Sequence, residues 1–97
     1  MAILMIAEVE GQTPEKYDAM LAQMGEPMRK AKGFISHLAG PTEDGGWRVI
    51  EVWETKEDAS RWFAEAVHPN LPPGVKPRRA FHRHRSRSRA RPPRACA

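Results

Sequence analysis

One histidine in this sequence is placed where an acid–base group could act. His37 lies in the extended stretch at residues 33–40, where strand alternation would put Ile35 and Ala39 on the same face as its ring. A neutral imidazole among apolar groups could take a proton from a phenol or an enol. The alternative is a structural histidine that is hydrogen-bonded to the backbone or to a neighbour such as Glu51. The sequence leaves both interpretations open.

Residues 46–55, Gly-Trp-Arg-Val-Ile-Glu-Val-Trp-Glu-Thr, predict a strand that is apolar on both faces. Because side chains alternate across a strand, Trp47 and Trp53 would point one way and Ile50 and Val52 the other. Such a strand is usually central in its sheet and covered on both sides. Helices should therefore cover one face, and something else apolar should cover the other.

Several residues on this strand and on the first predicted helix are candidates to bind a substrate. They are Trp53, Trp47, Tyr17, Met20, Met24, Glu51 and Arg48. The tryptophans could stack on a planar ligand, and methionines suit the wall of an irregular cavity. The same residues at strand and helix spacing equally well form a core or a dimer interface. A carboxylate at Glu51 needs a partner or a wet cavity, and Arg48 could be that partner or simply lie exposed.

The first half of the chain predicts a strand followed by a helix. Residues 2–9 are almost entirely apolar, as in an inner strand. Thr13 and Pro14 then start a helix, with Thr13 as the N-cap and Pro14 in the first turn. Gly25 and Pro27 predict that this helix ends or kinks between residues 24 and 28.

The second half predicts a hairpin, a helix and a last strand. The Asp44-Gly45 pair joins the strands at 33–40 and 46–55. Thr55 and Asp58 form a capping box at the start of the second helix. The apolar face of that helix comprises Ala59, Trp62, Phe63, Ala66 and Val67, and the helix ends at His68-Pro69. Residues 75–82 predict a fourth strand, which Pro77 restricts to an edge or to its first residues.

The resulting order, β-α-β-β-α-β, is that of a ferredoxin-like α+β subunit. It predicts a four-stranded antiparallel sheet with two helices on one face. The other, apolar face then has to be buried by a second copy of the chain, so we expect a homodimer that is paired through its sheets.

Length and charge predict one domain, at residues 1–82, and a basic tail at residues 83–97. Nine of the 16 basic residues occur from Lys76 onward, where there is no acid, so seven bases and all 12 acids fall before it. No apolar run is long enough to span a membrane, and the apolar start lacks a preceding basic segment, so a cytoplasmic protein is expected. The single Cys96 predicts neither a disulfide nor a zinc site, and no metal site is expected.

The tail admits several interpretations. Its like charges at alternate positions favour disorder. Binding to nucleic acid or another polyanion is an alternative, although the acidic body and the lack of aromatic residues after Phe81 argue against nucleic acid. The acidic body of either subunit could also take up the tail. A further hypothesis is that its Arg, Ala, Pro and Ser composition arises from a shifted reading frame.

Three consecutive segments carry a resemblance to a known family. His-Leu-Ala-Gly-Pro at residues 37–41, followed by residues 46–55 and an aromatic-rich helix, resembles the antibiotic biosynthesis monooxygenase-like proteins of the dimeric α+β barrel superfamily. The resemblance covers residues 2–82. It implies a barrel of two sheets, with a ligand cavity between sheet and helices in each subunit.

The resemblance implies several activities. Members of the family include cofactor-independent oxygenases that act on polyketide-like phenols, haem-degrading oxygenases, and proteins with no known activity. The haem-degrading members use a first-strand Asn and a second-helix His, whereas this chain has Met5, Ile6 and Ala7 on the strand and Trp62-Phe63 on the helix. The phenol-oxidising members pair an Asn with a Trp, and the only Asn here is Asn70.

The function expected from the sequence is a cofactor-independent monooxygenase acting on a small apolar or aromatic ligand. In that interpretation His37 is the base, Trp53 is a substrate wall and no cofactor is needed. Two alternatives stay open, namely a non-catalytic ligand-binding or stress-related dimer, and a polyanion binder that acts through its tail.

Overall fold

The computed structural model describes residues 2–83 and confirms the predicted order of elements. The strands are β1 (Ile3–Glu10), β2 (Phe34–Pro41), β3 (Trp47–Trp53) and β4 (Lys76–Arg83). The helices are α1 (Pro14–Lys30) and α2 (Lys56–Trp62), and α2 continues into a π-helical turn (Phe63–Val67) and a 3₁₀ turn (His68–Asn70). β4 includes the first residue of the predicted tail, and residues 84–97 of that tail lie outside the described part. Within residues 2–83, no helix is long and apolar enough to cross a membrane.

The four strands form one antiparallel sheet in the order β2-β3-β1-β4. This arrangement, with two helices packed on one face, is the predicted ferredoxin-like α+β fold. Ala7 at the centre of β1 lies opposite Val49 on β3 and Arg79 on β4. β4 is an edge strand and Pro77 is its second residue, as the missing N–H of proline requires.

Both helices begin at the predicted caps. The Thr13 hydroxyl accepts a hydrogen bond from the Lys16 amide at 3.2 Å, and Thr55 does the same for Asp58 at 3.1 Å. Of the two predicted alternatives, the one in which α1 ends between residues 24 and 28 is wrong, since the helix continues to Lys30. Pro27 removes one backbone hydrogen bond, but Met28 directly after it is buried, and that burial stabilises the last turn.

Strand alternation divides β3 as the sequence predicts. Trp47, Val49, Glu51 and Trp53 face the helices, whereas Ile50 and Val52 face the other way. β2 departs from the prediction through a bulge between Phe34 and Ser36. As a result Phe34, and not Ile35, lies opposite Trp53, with its ring edge-on at 5.5 Å between centroids.

The face of the sheet away from the helices, here called the open face, is apolar in its middle. It carries Leu4 and Ile6 of β1, Leu38 of β2, and Ile50 and Val52 of β3. Leu38 is 67% exposed, whereas Val52 is only 9% exposed, and no helix among residues 2–83 packs over this surface. The sheet is therefore covered on one side only within a single described chain.

Candidate functional site

A chain of three side-chain hydrogen bonds runs across the helix-facing side of the sheet. The Tyr17 hydroxyl lies 2.6 Å from Nε2 of His37, and Nδ1 of the same ring lies 2.7 Å from Oε2 of Glu51. The other carboxylate oxygen, Oε1, accepts a hydrogen bond from the Trp53 indole at 2.8 Å. We refer to Tyr17, His37, Glu51 and Trp53 as the hydrogen-bond chain.

The sheet register and the first helical cap together build this chain. His37 on β2 and Glu51 on β3 lie directly opposite each other, so their side chains meet on the same face. Trp53 is two residues beyond Glu51 and therefore shares that face. Tyr17 lies one helical turn after the Thr13 cap, and its ring is within 6° of parallel to the His37 ring.

The hydrogen-bond partners indicate how the protons are arranged. The His37 and Glu51 side chains are only 14% and 10% exposed, so the carboxylate depends on protein donors. An ionised carboxylate only accepts hydrogen bonds, so His37 donates to Glu51 through Nδ1–H. In the neutral form of the ring the lone pair is then on Nε2, and in that form the Tyr17 hydroxyl donates to Nε2.

The electrostatic setting keeps Tyr17 protonated. Burial raises the pKa of Tyr17 above its ordinary value of 10.0, and the negative charges of Glu51 and then Asp18 raise it further. A neutral phenol is a hydrogen-bond donor at this position, whereas a phenolate would face a nearby carboxylate. His37, oriented by Glu51, is thus the proton acceptor of the chain and Tyr17 is its neutral donor.

The hydrogen-bond chain borders a cavity of about 110 Å³ between the sheet and the helices, with an open mouth. Its apolar wall comes from the sheet and from both helices: Met5, Ala7, Val9 and Val49 of the sheet, Met20, Leu21, Met24 and Met28 of α1, and Ala59, Trp62, Phe63 and Val67 of α2 and the π-helical turn. Tyr17, His37 and Glu51 bring polar atoms into this surface. An apolar pocket with a few convergent polar groups is the usual form of a small-molecule site.

The π-helical turn and Arg79 are parts of the cavity that the sequence reasoning missed. Phe63 and Val67 lie at the two ends of the π-helical turn, and both line the cavity. Arg79 of β4 also lines it, with the guanidinium carbon 3.8 Å from the centroid of the Phe63 ring. The sequence signal that could have identified Arg79 is strand alternation in β4, because Arg79 lies on the same face as Pro77 and Phe81.

The structure brings together five of the eight predicted site residues. His37, Glu51, Tyr17, Met20 and Met24 line the cavity. Trp53, Trp47 and Arg48 do not.

The three remaining positions correct the predicted substrate site. Trp53 has 0% exposure and lies behind the wall, between Phe34 and Trp62, so it supports Glu51 and does not face a ligand. Trp47 packs against the Tyr17 ring at 5.0 Å between centroids and belongs to the core. Arg48 points to the open face, because it has the opposite parity to Glu51, and it forms an ion pair with Glu8 at 2.7 Å.

Comparisons with solved structures identify the fold. The sequence matches no family model and no curated protein. SnoaB, a cofactor-independent oxygenase from Streptomyces nogalater, superimposes with a TM-score of 0.65 at 13% identity, over 89% of this chain and 95% of that one. The protein shares the fold of the antibiotic biosynthesis monooxygenase-like proteins.

Two further solved structures agree with this assignment. A candidate antibiotic biosynthesis monooxygenase from Bordetella bronchiseptica gives a TM-score of 0.62 at 14% identity, over 88% of this chain and 98% of that one. The heme-degrader MhuD from Mycobacterium tuberculosis gives 0.59 at 15% identity, over 81% and 91% of the two chains. Identities this low establish the fold, while the chemistry has to be argued from the site itself.

Metal ligands are not clustered in the described part of the chain. Among residues 2–83, no group of three His, Cys, Asp or Glu side chains is arranged to hold a metal ion.

Proposed function

We propose that the protein is a cofactor-independent monooxygenase that acts on an aromatic or polyketide-like phenol or enol. The observation that carries this proposal is His37 at the border of an apolar cavity, held by Glu51 on one ring nitrogen and hydrogen-bonded to the Tyr17 hydroxyl on the other. The shared fold with SnoaB, itself described as a cofactor-independent oxygenase, supports the same chemistry.

The first step is the transfer of a substrate proton to Nε2 of His37. The imidazolium that forms is stabilised by the Glu51 carboxylate at 2.7 Å. Tyr17 stands at Nε2, so the substrate either displaces its hydroxyl or passes a proton through it in one concerted step. When the proton passes through Tyr17, the hydroxyl gives its own proton to His37 as it takes the substrate's. A stepwise transfer would leave a free phenolate, which the raised pKa of Tyr17 disfavours.

The later steps need no oxidant or reductant besides dioxygen and the substrate. The deprotonated substrate donates electrons to dioxygen and forms a carbon–oxygen bond, and the proton held by His37 completes a hydroperoxide. Loss of water from the hydroperoxide leaves a carbonyl group. A CH₂ group and dioxygen thereby become a C=O group and water, with the substrate supplying every electron. The apolar walls exclude water from the reactive anion.

Haem degradation is a poorer fit to these residues. Among residues 2–83, His37 is the only histidine that lines the cavity, and both of its ring nitrogens are already hydrogen-bonded, one to Tyr17 and the other to Glu51. α2 and the π-helical turn place Trp62 and Phe63 at the cavity wall and no histidine. The residues present therefore suit proton transfer better than iron ligation.

The test uses anthrone, an enolisable ketone whose CH₂ group should become a carbonyl. Wild type, His37→Gln and His82→Gln are incubated with anthrone under ¹⁸O₂, and the product is followed by absorbance and mass spectrometry. Glutamine can hydrogen-bond to Tyr17 and Glu51 but cannot accept the proton. His82 lies on the open side of the edge strand β4 and is exposed, so His82→Gln is the matched control.

The proposal expects wild type and His82→Gln to accelerate the reaction over buffer and to place one ¹⁸O atom in the ketone. His37→Gln should lose about 10²-fold or more of that acceleration, the usual contribution of a positioned general base. Equal rates for wild type and His37→Gln would show that His37 is not the base. Rates no faster than buffer would remove the oxygenase proposal for this class of substrate.

We also propose that the protein is a homodimer paired through the open face. The support is the exposed apolar surface around Leu38, together with the interior character of Ile50 and Val52 on the central strand β3. Leu38→Glu should convert a dimer into monomers in sedimentation equilibrium, while Ala22→Glu, at an exposed position of α1 that does not line the cavity, should leave it paired. A monomeric wild type would contradict this arrangement.

A further inference from the structure

Arg79 places a positive charge in the wall of the same cavity. It lies on β4, opposite Ala7 of the central strand β1, and its side chain enters the cavity that His37 and Glu51 border. The guanidinium carbon lies 3.8 Å from the centroid of the Phe63 ring and 5.4 Å from that of Phe81. Two aromatic rings thus flank one cation.

The charge of Arg79 is not neutralised within the described residues. Arg48 and Arg61 form ion pairs with Glu8 and Asp58, whereas Arg79 has neither an ion pair nor a side-chain hydrogen bond among residues 2–83. Its surroundings disfavour the charge, since burial lowers the pKa of Arg79 and the attraction of Glu51 only partly opposes that effect. A half-buried guanidinium of this kind gains free energy when an anion enters beside it.

Stacking leaves the hydrogen-bonding edge of Arg79 available. The five N–H donors of a guanidinium lie in its plane, so contact of its face with Phe63 uses none of them. The stacked ring also limits rotation of the guanidinium plane. A planar group with two oxygens matches such an edge through two parallel hydrogen bonds.

We propose that Arg79 forms a subsite for the carboxylate of an aromatic carboxylate ligand, whose ring lies in the apolar cavity between Arg79 and the hydrogen-bond chain. The inference deepens the proposed function by naming the substrate class, and it depends on that function only for the claim that the ligand is turned over. The cavity, at about 110 Å³, approaches the ~150 Å³ of a cavity known to hold benzene. Because this volume is smaller than that reference and the mouth is open, a bound ring occupies the cavity and extends into the mouth.

The test compares each carboxylate with its neutral amide. Benzoate with benzamide, and 2-naphthoate with 2-naphthamide, are titrated into wild type, Arg79→Gln and Arg78→Gln, and binding is followed by NMR chemical shifts. Arg78 is the matched control, because it is the preceding residue on β4, is exposed and has the opposite parity. Binding of the neutral amides reports whether the cavity of each variant is intact.

The proposal expects at least one carboxylate to bind wild type and Arg78→Gln about tenfold or more tightly than its amide, as for charge-assisted hydrogen bonds. Arg79→Gln should abolish that preference while still binding the amide. Equal affinities for acid and amide in wild type, no binding of either pair, or a preference that survives in Arg79→Gln would each overturn the subsite.

The outcomes separate this inference from the oxygenase proposal. Carboxylate binding that depends on Arg79 but is unaffected by His37→Gln, in a protein that oxidises nothing, would support the Arg79 subsite and contradict the oxygenase proposal. If Arg79→Gln turns over neutral substrates at the wild-type rate, and wild type shows no preference for acids, the oxygenase proposal stands and the Arg79 subsite is contradicted.

Discussion

Two glutamates on opposite faces of the sheet have the same contact distance and different surroundings. Glu51 lies 2.7 Å from His37 on the helix-facing side, and Glu8 lies 2.7 Å from Arg48 on the open face. The Glu51 side chain is 10% exposed, whereas those of Glu8 and Arg48 are 41% and 53% exposed. Burial, and not the distance between the partners, therefore decides how much an ionic contact constrains its neighbours in this protein.

On the open face of a single subunit, water can replace either partner of the Glu8–Arg48 pair at little cost. On the helix-facing side, Glu51 must be satisfied by His37 and Trp53, because little water reaches it. A buried carboxylate of this kind holds the imidazole in one orientation and one protonation pattern. The exposed pair has no comparable influence on a neighbour, which is why we place the chemistry on the helix-facing side.

The largest difference should appear in stability. Glu51→Ala leaves the Trp53 indole and Nδ1 of His37 without their acceptor, and each orphaned buried donor costs about 1–3 kcal/mol. We expect a fall of roughly 3 kcal/mol or more in the free energy of unfolding for Glu51→Ala, against at most about 1 kcal/mol for Glu8→Ala. Urea unfolding at one fixed protein concentration measures both, and similar losses for the two variants would contradict the comparison.

A smaller difference should separate the two tryptophans of β3. Trp53→Phe and Trp47→Phe remove the same atoms from buried sites, but only Trp53 donates a hydrogen bond to Glu51, and the Trp47 indole N–H has no partner among residues 2–83. A hydrogen bond to a charged group contributes about 1.5–3 kcal/mol, so Trp53→Phe should be the more destabilising by that margin. Unfolding curves that coincide would argue against an ionised, accepting Glu51.

The smallest effect concerns the proton on Tyr17. It is the only tyrosine in the sequence, so the near-ultraviolet absorbance of its phenolate reports this residue alone. We expect a midpoint above pH 10.0, which Glu51→Gln lowers only in part, because burial is the larger cause of the raised pKa. Glu8→Gln should not move it, and an ordinary midpoint in wild type would contradict the buried hydrogen-bond chain.

The same shift sets a pH dependence of stability. The pKa of Tyr17 is raised in the folded state, so above pH 10.0 the unfolded chain loses this proton while the folded chain keeps it. The contribution of Tyr17 is therefore complete below pH 10.0 and is lost as the pH rises through the folded-state pKa. Tyr17→Phe should remove this part of the alkaline decline in urea unfolding.

The fold could be predicted because its signals are local and agree with one another. The caps at Thr13 and Thr55, the Asp44-Gly45 turn and the double-sided strand β3 each specify one element, and together they leave few topologies. The end of α1 was predicted wrongly because Gly25 and Pro27 are local breakers, whereas the burial of Met28 is a tertiary effect. The bulge in β2 leaves no comparable mark in the sequence.

The site could be predicted in part, since strand parity identifies residues on one face but not their depth. His37 and Glu51 were paired in advance as one alternative, and the register places them opposite each other. Trp53 was assigned to the ligand wall because parity cannot distinguish a wall residue from one buried behind it. Arg79 was missed since it stands next to Arg78 in a basic run, and only the assembled sheet shows which of the two faces inward.

The most direct test of the account is the protonation pattern of the His37 ring. Long-range ¹H–¹⁵N NMR of the neutral ring distinguishes a proton on Nδ1 from one on Nε2, and His37→Gln identifies the signal. We predict the Nδ1–H form in wild type and in Glu8→Ala, and its loss in Glu51→Ala. A ring that carries its proton on Nε2 in wild type would leave no lone pair facing Tyr17 and the cavity, and the proposed base would not exist.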